Sequence, residues 1–124
     1  MIARLSLAMS AAMMLAGPIA ARDKPVPVAV PDGAAVDCIS MPIGESRVRD
    51  DRTIDFFVGR KVYRNVLPQS CPGLGFEQAF TYATSISRLC SLDIITVLQR
   101  TGGQFMRGAS CGLGTFQPVK GVKR

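Results

Sequence analysis

Five carboxylates, a run of basic side chains around a tyrosine, and four cysteines are the residues of this 124-residue sequence whose types suit chemistry. Asp50, Asp51, Asp55, Glu77 and Asp93 could supply the carboxylate pair of a glycoside hydrolase, one as acid and the other as base or nucleophile. Asp93 opens an apolar run, a setting that can fit an acid for proton transfer. The plainer role there is to accept backbone N–H bonds at a strand end. The sequence contains no histidine. That removes Ser–His and Cys–His nucleophilic pairs, histidine metal sites and the commonest general base near neutral pH. Tryptophan is absent as well, which weakens the case for a platform on which sugars stack. No catalytic residue, cofactor or metal site is predicted.

The basic run is Arg60, Lys61 and Arg64, with Tyr63 and Asn65 among them. Cations beside an aromatic ring could grip a phosphate or an anionic sugar. The competing reading is a solvated hairpin edge whose charges discourage strand addition by other chains. A mixed-charge loop precedes it: Arg47, Arg49, Asp50, Asp51 and Arg52. No nucleic-acid-binding motif is present.

The cysteines depend on the compartment. Arg4, the apolar stretch Leu5 to Gly17, the helix-breaking Pro18 and the small residues Ala20 and Ala21 follow the order of a cleavable signal peptide, residues 1–21. The apolar stretch is too short to span a bilayer, and the mature chain has no transmembrane segment. Removing the signal takes away Arg4 alone and lowers the formal net charge from +6 to +5. That balance favours an anionic envelope component or an envelope protein as partner, and it also suits ordinary solubility. A periplasmic or secreted location makes Cys38, Cys71, Cys90 and Cys111 a disulfide framework, since none forms a Cys-x-x-Cys pair. Three pairings are open. Chain economy favours Cys71–Cys90, closing a local loop, with Cys38–Cys111 tying the first ordered segment to the last strand.

The elements that must carry these residues read as strands. Residues 22–35 hold Pro25, Pro27 and Pro31 and predict a flexible, extended leader. A single β domain follows over 36–118, with a basic tail at 119–124. Thr53 to Val58, Gly59-Arg60 and Lys61 to Leu67 form the clearest hairpin, Gly59 suiting a type II′ turn. Leu67 to Gly75 reads as a loop. Phe80, Tyr82, Thr84 and Ile86 share a strand face, although helical spacing from Phe76 competes. Asp93 to Gln99 predicts a buried central strand, and Gln104 to Arg107 and Cys111 to Phe116 the last two, with a bulge or corner at Gly108. Gly112 and Gly114 flank Leu113, where backbone must pass close to another group. About six short strands with regular turns predict an all-β fold, a small antiparallel barrel or sandwich stapled by disulfides.

The ordered series Cys38-Ile39, Asp51-Arg52-Thr53-Ile54, Tyr63-Arg64-Asn65, Leu67-Pro68, Cys71-Pro72-Gly73-Leu74, Leu89-Cys90, Asp93 with Ile95, and Cys111-x-Leu113-Gly114-x-Phe116 resembles a family of short exported bacterial proteins classed as a domain of unknown function. The resemblance runs from Cys38 to Pro118. It implies a periplasmic all-β domain with its four cysteines in place, and it brings no activity, ligand or catalytic residue. Small size, stapling, positive charge and the missing histidine together favour a non-enzymatic binding or structural module of the cell envelope. The alternative is a small carboxylate-dependent hydrolase.

Overall fold

The structure, a computed structural model, describes residues 25–84 and 86–124. The predicted signal peptide lies outside the described residues. The chain folds as ten strands and one helical turn: β1 (Val30–Pro31), β2 (Cys38–Ser40), β3 (Glu45–Val48), β4 (Thr53–Val58), β5 (Lys61–Val66), α1 (Leu74–Glu77), β6 (Phe80–Tyr82), β7 (Arg88–Cys90), β8 (Ile94–Thr101), β9 (Gln104–Gly112) and β10 (Phe116–Lys120). A five-stranded antiparallel sheet runs β1-β10-β5-β4-β3. A β2–β7 pair and a β6-β8-β9 sheet pack over one face of it. The expected all-β antiparallel class holds, in the form of a sandwich and not a closed barrel.

The predicted hairpin is its clearest local unit. β4 and β5 pair from Thr53↔Val66 to Val58↔Lys61, leaving Gly59 and Arg60 as the turn. Gly59 has φ +59 while Arg60 keeps a negative φ, as a type II′ turn requires. Alternation sends Ile54 and Phe56 to the core, where Phe56 meets the Phe116 ring at 5.5 Å and Phe80 at 6.2 Å, both edge-on. Ile39, Leu89, Ile95, Val97, Leu67, Leu74 and Leu113 complete that core from the facing elements.

The opposite face of β4 is buried too. Phe57 is covered by the Arg124 guanidinium, 5.5 Å from its ring centroid, and Asp55 is fully buried between Arg49 and Arg64. The cover comes from the predicted basic tail, whose reading as a tail is corrected here. Val119 and Lys120 are the end of β10, and Gly121, at φ +82, turns the rest back over the sheet. Arg49 Nη2 donates to the Lys123 carbonyl at 2.9 Å, and Arg124 Nη2 donates to that of Gly59 at 3.0 Å.

The leader reading is corrected at its second half. Val30 and Pro31 pair with Lys120 and Val119, and Val36 bridges Phe116. Pro31 fits because an edge strand needs ladder donors on one side only. Among its described residues the segment Ala79 to Ile86 is strand only over Phe80–Tyr82, and α1 precedes it, beginning inside what reads as a loop and ending at Glu77. A bulge does fall at the predicted position, where Gly108 and Ala109 oppose Val97. Between Thr96↔Ser110 and Leu98↔Arg107 the register shifts, so β9 runs through Gly108 without breaking.

The disulfides are Cys38–Cys90 and Cys71–Cys111, so the expected Cys71–Cys90 and Cys38–Cys111 pairing is wrong. Economy of loop length did not decide it. β2 lies antiparallel to β7 with Cys38 directly opposite Cys90, and Cys111 on β9 faces the loop that carries the buried Cys71. The bridges span 52 and 40 residues. In the chain-entropy model each removes about 4 kcal/mol of unfolded-state freedom. Replacing Cys71 and Cys111 together with serine is expected to lower unfolding free energy by about 2–5 kcal/mol in urea titrations. A loss under about 1 kcal/mol would contradict that account.

Candidate functional site

Each of the five carboxylates that could do acid–base work holds the fold. Asp50 accepts the Arg52 N–H at 2.8 Å, and Asp51 accepts the Gly75 N–H at 2.7 Å. Asp93 Oδ2 accepts the Cys90 N–H at 2.7 Å, the strand-end role read from its position. Glu77 accepts the Arg100 N–H at 3.3 Å. Asp55 takes three guanidinium bonds, one from Arg49 and two from Arg64, at 2.8 to 3.0 Å.

The basic run Arg60–Asn65 is divided by strand alternation at Arg64 and by burial at Asn65. Arg64 points to the outer face and is neutralised by Asp55. Asn65 points inward, fully buried, and its amide acts as a surrogate ladder partner. Nδ2 donates to the Gly114 carbonyl at 2.7 Å and Oδ1 accepts the Gly114 N–H at 2.8 Å. Neither is available to a ligand. Arg60, Lys61 and Tyr63 do come together, and they gather Lys120 from the neighbouring strand. These four and Asp32 line a cavity of about 350 Å³, walled by Val62 and Pro118.

Lys120 is the member that sequence reasoning missed, because the β10 pairing alone brings it there. Val119 pairs with Val62 at the end of the β5–β10 ladder, and the next residue on each strand, Lys120 and Lys61, lines the same cavity. Among the described residues, Arg60, Lys61 and Lys120 make no ion pair. Like charges gathered around one cavity repel, and an anion seated between them would relieve that repulsion. The Tyr63 ring and hydroxyl add an apolar wall and a hydrogen-bonding group.

A larger cavity, about 610 Å³, is lined by Arg47 to Arg52 with Ser70, Gly75, Gln78 and leader residues Pro25 and Pro27. Its charges are already satisfied. Arg47 pairs with Glu45, Arg49 with Asp55, and Arg52 donates to the carbonyls of Leu67 and Pro68. Size favours this cavity, but uncompensated charge favours the smaller one for an anion.

Among the described residues no helix is long and apolar enough to cross a membrane, and no group of three or more potential ligands is placed to hold a metal. Fold and site together define a small all-β sandwich, stapled by two disulfides of the kind kept in oxidising compartments, with a cationic cleft at one end of its main sheet. The chain matches no protein-family model, no curated protein and no solved structure.

Proposed function

We propose that the mature domain is a non-enzymatic binding module of the cell envelope, exported to the periplasm or the exterior, that takes an anionic envelope component in the Arg60–Lys61–Lys120 cleft. The carrying observation is the convergence of Arg60, Lys61 and Lys120 on one cavity, with no ion pair to any of them among the described residues and Asp32 the one acidic side chain in its lining. Export rests on the sequence pattern of residues 1–21 together with the two disulfides. The alternative of a carboxylate-dependent hydrolase needs two free carboxylates facing one cleft. The candidates offered by the sequence are instead engaged by backbone N–H groups or guanidinium.

Titrating the disulfide-intact domain with polygalacturonate oligomers, and with neutral dextran of equal length, tests this reading. Binding to the acidic sugar alone is expected, weakening as salt rises. Replacing Lys61 and Lys120 with glutamate should weaken it at least about tenfold per cation lost, the scale of a charge-assisted hydrogen bond. Equal binding by wild type and the double variant would overturn the assignment of the cleft.

A further inference from the structure

We propose that the β8–β9 hairpin is a second, independent contact that seats the domain on an anionic phospholipid surface. From Gln99 through Arg107 every residue is exposed, yet the strands remain paired from Leu98↔Arg107 to Thr101↔Gln104. The ribbon therefore stands clear of the body by roughly 10 Å, three residue steps at strand rise. Large apolar side chains held on such a projection take no part in the core.

The ribbon carries two of these, on opposite faces. Phe105, 58% exposed, lies across from Arg100, whose guanidinium sits 5.1 Å from the ring centroid. Met106, 56% exposed, lies across from Gln99 on the other face. Phe76 is exposed on α1 at the ribbon's base, where Glu77 meets the Arg100 N–H. A flat partner would cover one face of the ribbon and leave the other apolar side chain wet. A medium that surrounds the tip covers both, and the interfacial zone of a bilayer is such a medium.

Charge points to the sign of the surface. Asp93 is the last acidic side chain in the sequence, and every charged side chain after it is Lys or Arg. Arg100 and Arg107 flank Phe105 and Met106 and would meet lipid phosphates, with Glu77 the one carboxylate bonded to the ribbon among the described residues. Depth is bounded by the backbone. The outer edge of β9 is unpaired among the described residues, so its N–H groups need water or phosphate and its C=O groups need water. The tip therefore rests in the headgroup zone and does not enter the hydrocarbon.

Vesicle flotation of the disulfide-intact domain tests this. Wild type is expected to float with phosphatidylglycerol-containing vesicles and at least about tenfold less with pure phosphatidylcholine. Phe105→Ser with Met106→Ser should lose at least about tenfold in that binding at unchanged Tm, as should Arg100→Gln with Arg107→Gln. Lys61→Glu with Lys120→Glu should keep most of it, which separates this site from the cleft. A Phe105→Trp variant should shift its emission to the blue on adding anionic vesicles. No flotation, flotation that the hairpin variants retain, or hairpin-dependent capture by an acidic protein without vesicle binding would each overturn the proposal.

Discussion

Replacing Gly114 with alanine is expected to cost about 3–5 kcal/mol and to lower Tm by roughly 15 °C or more. A Cβ at this position would lie far inside van der Waals contact distance of the Val66 carbonyl oxygen, and 3.5 Å from Asn65 Oδ1. Val66 is backbone at the end of a paired strand, so it cannot yield as a flexible side chain could. Relief requires Gly114 to move away, which stretches the two bonds to the buried Asn65 amide. Overpacking and two under-satisfied buried groups then add. Gly112→Ala is the control. Its nearest neighbour would be Ile94 Cδ1 at 4.0 Å, ordinary contact, and its loss should stay within about 1 kcal/mol. Thermal unfolding by circular dichroism reads both. Similar Tm values for the two variants would show that the Val66 contact does not constrain the chain.

Asp55→Ala is expected to cost about 3–5 kcal/mol, the scale of breaking a buried ion pair by removing one partner. The carboxylate is fully buried, and the side chains of Arg49 and Arg64 are only 16% and 14% exposed. Without Asp55 two cations remain on a desolvated face beside Phe57, and the repulsion between them is no longer offset. Adding Arg64→Leu should recover part of the loss, because the second change removes an orphaned charge and supplies apolar cover. Urea unfolding of the two single variants and the double variant gives the coupling. Strict additivity would mean that the three groups do not act as a unit.

Local pattern carried the hairpin. Period-two alternation assigns Ile54 and Phe56 to one face, and Gly59 supplies the positive φ that its two-residue turn demands, all within fourteen contiguous residues of chain. The Gly-x-Gly around Leu113 was legible as a close approach, though not what it approached. The helical turn at Leu74–Glu77 is too short for a 3.6-residue period to register, so its first two residues passed for loop. The candidate anion cleft was half legible. Arg60, Lys61 and Tyr63 announce themselves by type and adjacency, whereas alternation removes Arg64 to the other face and burial against Gly114 removes Asn65.

What the sequence by itself determined is what neighbours along the chain can settle: an all-β pattern, the turn at Gly59, which side chains share a strand face, and the exclusion of histidine chemistry. Tertiary structure decided every partnership between distant segments. The cysteine pairing follows from β2 lying against β7, and Lys120 joins Lys61 at one cavity because β10 enters the sheet beside β5. Val30 and Pro31 of the leader pair with an edge, and the basic tail covers Phe57 and bonds Arg49. The physical reason is common to all of these. A strand's own residues specify its two faces, but its neighbour is selected by burial and hydrogen bonding summed over the whole sandwich, a quantity that no single segment contains.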